Sequence, residues 1–155
     1  MLSIQYALLE PQLWLGSYPQ QPEDVIHLKN EGVSAVLNVQ SDLDLDARAI
    51  NWLMFWKFYV AQGIRVERVP IIDFNDDDLA RSLPRAVEQL DELISGGHCV
   101  YLHCTAGVNR SPTVAIAWLM MRRSMPLQEA LDFVNQRRAV MPCISVLRGW
   151  SKSLK

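Results

Sequence analysis

The chain has 155 residues, enough for one globular domain to bury a core of its own. Half of the residues are hydrophobic and 21% are charged, which excludes an intrinsically disordered segment. A formal charge of −2 leaves no footprint for nucleic acid, and the longest apolar run, Val114 to Met121, is far short of the ~20 residues a membrane helix needs.

No repeat, low-complexity stretch or Pro/Gly/Ser linker divides the chain, and strand and helix patterns alternate, which predicts a single α/β domain over residues 1–155. Leu13-Trp14-Leu15, running into Gly16, reads as a short strand. Pro22-Glu23-Asp24 opens a helix, because proline and acids both suit a first turn, and Gly32 closes it. Val33 to Val39 is an apolar, β-branched run that predicts a buried strand, followed by an acidic loop at Asp42, Asp44 and Asp46. A helix is predicted from Ala47 to Gln62, stopped by Gly63. Trp52, Phe55, Trp56 and Tyr59 share one face of it, a stripe that predicts core packing.

Ile64 to Ile71 alternates as a strand, and Asp73 to Asp78 is a second acidic loop. Helical sequence from Leu79 to Ser95 ends at Gly96-Gly97, and His98 to Leu102 is a strand by composition. A loop at 104–110 leads into a strongly apolar helix from Ser111 to Arg123. Two more helices are expected around Leu127 to Arg138 and Ser145 to Leu154. The pairs Arg122-Arg123 and Arg137-Arg138 read as solvated helix ends.

The chemistry is concentrated in His103-Cys104-Thr105-Ala106-Gly107-Val108-Asn109-Arg110-Ser111. A cysteine six residues before an arginine is common by chance. Here a strand delivers Cys104 to a short loop containing Gly107, and a helix begins directly after Arg110. Such a turn aims backbone N–H groups and a helix N-terminus at one point, which makes an anion site, and the same field favours a thiolate over a thiol. Arg110 offers a planar fork of donors that matches phosphate oxygens. Gly107 lets the backbone turn. Ser111 can donate a hydrogen bond to a departing sulfur, and His103 is placed to orient the loop. Cys104 is therefore expected to be a nucleophile toward phosphate rather than a packed thiol.

An alkoxide leaves poorly unless it is protonated, so a general acid is needed. Asp73, after a strand and at the start of a loop, is the first candidate. Asp76, Asp77 and Asp78 are rivals, Asp78 being equally suited to cap the following helix. Cys99, Cys104 and Cys143 form neither an even disulfide set nor a metal-ligand spacing, so packed thiols at Cys99 and Cys143, no metal and a reducing compartment are expected. The N-terminus lacks a basic region followed by a long apolar stretch, which predicts a soluble, cytoplasmic protein.

His103-Cys104-x5-Arg110-Ser111, with an aspartate-bearing loop upstream, resembles the dual-specificity branch of the protein tyrosine phosphatase superfamily. The resemblance implies a central, mostly parallel sheet flanked by helices, and catalysis through phosphocysteine without metal or other cofactor. Longer stretches are similar to the glucan phosphatases, the laforin and plant starch phosphatase type. These are Trp14-Leu15-Gly16-Ser17-Tyr18-Pro19-Gln20 with Pro22-Glu23-Asp24 and His27-Leu28-Lys29, Asn38-Val39-Gln40-Ser41-Asp42, Leu83-Pro84-Arg85-Ala86-Val87, Val100 to Val108, and Arg138-Ala139-Val140-Met141-Pro142. That likeness implies a recognition segment over residues 1–25, a phosphorylated glucan as substrate, sugar contacts by Phe74 and Tyr6, and action as a monomer.

Two positions depart from the glucan pattern: Asn109, where the group usually has glycine, and Ala47-Arg48, where plant members carry aromatics. No separate carbohydrate-binding module is expected within these 155 residues. Phe74 read as an ordinary core anchor is the alternative to a sugar contact. A dual-specificity protein phosphatase would use every catalytic residue named here. A lipid headgroup phosphatase is disfavoured by the lack of further lysine or arginine inside the loop, and a dead phosphate-reading module by the intact Cys104, Arg110 and Asp73.

Overall fold

The computed structural model describes all residues, 1–155. Five strands, β1 (Tyr6–Glu10), β2 (Leu13–Gly16), β3 (Ala35–Asn38), β4 (Arg65–Arg68) and β5 (Val100–His103), form one sheet in the order β1-β2-β5-β3-β4. Only β1 and β2 pair antiparallel; the other three pairings are parallel, as expected of a mostly parallel sheet. Seven helices flank it: α1 (Pro22–Asn30), α2 (Asp42–Ala47), α3 (Trp52–Ala61), α4 (Asp76–Ser95), α5 (Arg110–Arg122), α6 (Leu127–Arg137) and α7 (Ile144–Ser153).

The period-2 pleat assigns the two cores. Ala35, Leu37, Val100 and Leu102 turn to the larger core, built with α4 to α7, while Val36 and Tyr101 turn to the smaller one, with Val25 and Leu28 of α1 and Tyr59 of α3. Burial on both faces explains why the inner strands read as continuous apolar runs. Helix α5 lies inside, buried from Arg110 through Met120.

Three expectations are corrected. The acidic segment at Asp42, Asp44 and Asp46 is helical: the Ser41 hydroxyl accepts from Asp44 N–H, and the Asp44 carboxylate accepts from Ser41 N–H at 2.8 Å, a reciprocal capping box. The helix predicted from Ala47 begins instead at Trp52, after a turn with Ala49 at φ 53° and with Asn51 as its cap. Its aromatic stripe is not a uniform core face, because Tyr59 is buried, Trp52 and Phe55 are half-buried, and Trp56 is exposed beside exposed Leu53, Met54 and Val60. Strand β1 was not foreseen at all.

Candidate active site

The loop between β5 and α5 is held from outside at four consecutive carbonyls. Thr105 C=O accepts from Tyr18 N–H at 3.0 Å, Ala106 C=O from Arg138 Nη2 at 2.9 Å, Gly107 C=O from Arg138 Nε at 3.0 Å, and Val108 C=O from Met141 N–H at 2.7 Å. In a trans peptide the N–H of the next residue points opposite to the carbonyl. The N–H groups of Ala106, Gly107, Val108 and Asn109 are therefore turned to the inner side, and none of them donates to another group of the protein. With the N-terminus of α5 starting at Arg110, this is a cradle of free donors shaped for an anion.

Gly107 is obligatory there for two reasons. Its φ is +71°, and a Cβ would sit 2.4 Å from the carbonyl oxygen of Gly16 at the end of β2. Asn109 adds a side-chain tie, its Nδ2 donating to Met141 C=O at 2.9 Å. Arg138, expected at a solvated helix end, is a clamp on the loop; Arg137 fits that expectation better, exposed and stacked over Phe133 at 3.6 Å from its centroid.

Cys104 is at the base, 2% exposed, and Ser111 Oγ donates to its sulfur at 3.2 Å. His103 is buried, and burial pushes its pKa down to about 4, so it is neutral near pH 7. A carbonyl can only accept, so the 2.8 Å contact between His103 Nδ1 and Cys104 C=O fixes the Nδ1–H tautomer. The contact holds the ring against the first peptide of the loop.

Arg110 is almost entirely buried, and its partner lies in α2. Asp44 accepts from Nη1 at 2.7 Å and from Nη2 at 3.0 Å, while Ile71 C=O also accepts from Nη1 at 2.8 Å. Burial alone would raise the Asp44 pKa; the Arg110 and Ser41 hydrogen bonds overcome it and hold the carboxyl well below the usual range. Burial likewise opposes the charge on Arg110, and Asp44 reverses that effect. Thr105 Oγ1 also donates to Asp44, and Gln40 Nε2 donates to Thr105 Oγ1. Both ends of the phosphate loop are thus tied to one carboxylate.

Arg110 Nε is buried with no hydrogen-bond partner. Asp73 Oδ1 lies 3.3 Å from it, close enough for an ion pair but not aligned as an acceptor. Nε–H and the second N–H of Nη2 are consequently the donors left for incoming phosphate oxygens. Asp73, Phe74, Cys104, Ala106, Val108, Asn109 and Arg110 line one cavity of about 270 Å³, which brings together the expected nucleophile, fork and acid.

The rival acids fall elsewhere. Asp76 and Asp77 line a different cavity. Asp78 is engaged by Ile72 N–H at 2.8 Å and Arg81 Nη2 at 2.9 Å, while the cap of α4 is Asn75. Phe74 is 98% exposed, so the core-anchor alternative is excluded, and its φ of 57° is a left-handed conformation that a bulky residue adopts only under strain. Tyr6 lies outside the cavity, its hydroxyl on His27 and its ring 5.4 Å from that of Trp14.

Sequence reasoning missed Asp44 and Arg138. Ser41 and Asp44 carried a legible signal, the Ser-x-x-acid spacing of a capping box. Nothing local marks Arg138 as a clamp.

Comparison with known proteins agrees with this geometry. The family described as "Dual specificity phosphatase, catalytic domain" matches residues 13–152. Laforin of Mus musculus is 33% identical over 147 residues, covering 88% of this chain and 44% of that protein. The amyloplastic phosphoglucan phosphatase DSP4 of Castanea sativa is 34% identical, covering 96% of this chain and 40% of its own length. Human dual specificity protein phosphatase 9 is 32% identical, covering 83% and 30%. The chain thus spans less than half the length of these curated relatives. Among solved structures, Tk-PTP in its active form superposes with a TM-score of 0.78 at 24% identity, covering 95% of this chain and 96% of that one, a likeness of fold.

Proposed function

The chain belongs to the dual-specificity phosphatase catalytic-domain family, and we propose that it removes phosphate monoesters from a glucan through a phosphocysteine intermediate. In the first step the Cys104 thiolate attacks phosphorus while the bond from phosphorus to the sugar oxygen breaks, and Asp73 gives its proton to that oxygen. The free N–H groups of the loop, together with Arg110 Nε, hold the non-bridging oxygens as charge builds on them. In the second step water attacks the phosphocysteine, Asp73 takes a proton from the water, and the sulfur–phosphorus bond breaks. Ser111 supports the departing thiolate through the hydrogen bond it already makes to Cys104.

The observation that carries the glucan reading is Phe74. A large apolar ring that is fully exposed and sits on strained backbone contributes nothing to the core, and it stands directly beside the proposed acid at the mouth of the cavity. Such a ring suits the apolar face of a sugar whose hydroxyls stay wet. The names of laforin's companion relatives, the phosphoglucan phosphatases of Castanea sativa and Arabidopsis thaliana, support the same substrate class.

A protein phosphatase is the second reading. It is favoured by Asn109, where the glucan group usually has glycine, and by a nearly equal identity to human dual specificity protein phosphatase 9. Phosphate release from phosphorylated starch or glycogen, compared with release from a phosphotyrosine peptide at equal enzyme, separates the two. Much faster hydrolysis of the peptide replaces the first reading with the second. Loss of both activities in Cys104→Ser is required by either.

A further inference from the structure

The segment Asn38-Val39-Gln40 leaves the sheet beside the phosphate loop. Val39 N–H donates to His103 C=O at 3.0 Å, the last rung between β3 and the end of β5, so the next residue comes alongside Thr105. Gln40 is 2% exposed, which is unusual for a long polar side chain. Side chains hold its backbone at both ends. Asn38 Oδ1 accepts from Gln40 N–H at 2.8 Å, and Gln40 C=O accepts from Arg68 Nη2 at 2.9 Å. The glutamine side chain reaches Thr105, its Nε2 lying 2.9 Å from Oγ1.

The direction of each hydrogen bond in this network is forced. Asp44 is ionised, held so by Arg110 and Ser41, and a carboxylate only accepts. The single hydroxyl proton of Thr105 therefore goes to Asp44 Oδ1, at 3.0 Å. Toward Gln40 the hydroxyl shows a lone pair, which only the amide NH2 can meet. Asp44 Oδ1 is also the oxygen that accepts from Arg110 Nη2. One chain of donors thus runs from Gln40 through Thr105 to the carboxylate that holds the phosphate fork. On its other side Thr105 is tied by Tyr18 N–H at its carbonyl, so its side chain is the second of two anchors at the start of the loop.

We propose that Gln40 is a positioning residue for phosphate transfer: by committing the Thr105 hydroxyl to Asp44, it fixes how Arg110 and the first peptide of the loop meet the phosphate. Without the amide NH2 the hydroxyl is released to rotate, and Asp44 loses one of the donors that keep it facing Arg110. The proposal rests on phosphatase chemistry at Cys104 and not on which alcohol carries the phosphate.

The test is a double-mutant cycle between positions 40 and 105, read on a small aryl phosphate. Wild-type turnover that Cys104→Ser abolishes tests the phosphatase reading by itself; the cycle then tests Gln40. Gln40→Met, which keeps the shape and removes the donor, lowers kcat/KM about tenfold, the scale of one lost hydrogen bond. It does so again in the Thr105→Ser background, where the hydroxyl remains, and has no further effect in Thr105→Val. Inhibition by orthovanadate weakens about tenfold in Gln40→Met, a readout that a smaller folded fraction would leave alone. Wild-type turnover by Gln40→Met, an equal loss in the Thr105→Val background, or unchanged vanadate inhibition overturns the inference. If Gln40→Met does not fold, Gln40→Leu takes its place in the same cycle, and unfolding of both makes Gln40 a residue of the fold and overturns the inference as well.

Discussion

Asp44 takes both terminal nitrogens of Arg110, at 2.7 and 3.0 Å, and leaves Nε without a partner beside Cys104's cavity. The guanidinium is thereby held by one edge, and its other edge is presented to phosphate. Removing one member of a buried pair strands the other charge, at a cost of about 3–5 kcal/mol. Asp44→Ala should lower the melting temperature and reduce kcat/KM on a small aryl phosphate by roughly 10²-fold, the scale on which misplacement of a catalytic group by an ångström is felt. Asp42→Ala, two residues earlier in α2 and exposed, should do neither. Turnover by Asp44→Ala at the wild-type rate would mean that Arg110 positions itself.

A pH effect on stability follows from His103. Its folded pKa lies near 4, below the ordinary value of 6.5, because burial disfavours the charged ring. Between those values the unfolded chain binds the extra proton, so stability is complete above about pH 6.5, falls as the pH drops toward 4, and stops falling on this account below that. The shift corresponds to about 3 kcal/mol across the window. Urea unfolding at closely spaced pH values from 4.5 to 7, for wild type and His103→Asn, measures the slope. An equal slope in the variant would assign it to other groups.

The legible parts of this protein were those written in neighbouring residues. Apolar, β-branched runs located β3 and β5, and the glycines and prolines bounded α1. The phosphate loop could be read because nucleophile, turn glycine and fork lie within one short segment. Asp44 is not legible as a site residue, because its value depends on Arg110, which only the fold brings near. Arg138 is hidden for the same reason, since its partners are loop carbonyls on a distant segment. Strand β1 was missed because Tyr-Ala-Leu-Leu-Glu has little β character of its own and becomes a strand by pairing with β2. The stripe on α3 misled in another way: even spacing of aromatics showed a shared face without showing that Trp56 would remain in solvent.

The acid assignment predicts a dependence on the leaving group. Asp73→Asn should lower kcat on alkyl phosphates by roughly 10²–10⁴-fold, because the sugar oxygen must be protonated as it departs. On an activated aryl phosphate, whose phenolate leaves unaided, the loss should be far smaller. Asp76→Asn and Asp77→Asn should change neither, since both carboxylates line a cavity other than that of Cys104. A Brønsted plot of rate against leaving-group pKa for each variant makes the comparison. Steepening in an Asp76 or Asp77 variant, with Asp73→Asn parallel to wild type, would move the acid.

The substrate proposal makes its sharpest prediction at Phe74 and Tyr6 together, because the fold separates them. Phe74 lines the cavity mouth, so it should touch any glucan, short or long; Tyr6 lies outside the cavity, so only an extended chain could reach it. Phe74→Ala should raise KM for phosphorylated glucan by roughly fivefold, the equivalent of about 1 kcal/mol of ring contact, and leave a small aryl phosphate unaffected. Because Phe74 is exposed on left-handed backbone, Phe74→Gly should carry the same KM penalty while stabilising the fold by roughly 1 kcal/mol through relief of strain. Tyr6→Ala should raise KM on long phosphorylated glucan and not on a phosphorylated maltose, whereas Tyr6→Phe, which keeps the ring and loses only the contact to His27, should resemble wild type on both. Melting curves taken in parallel separate these effects from loss of packing around Trp14. If Phe74→Ala and Phe74→Gly leave glucan KM unchanged, the exposed ring serves something other than sugar, and phosphopeptides become the substrates to examine at this mouth.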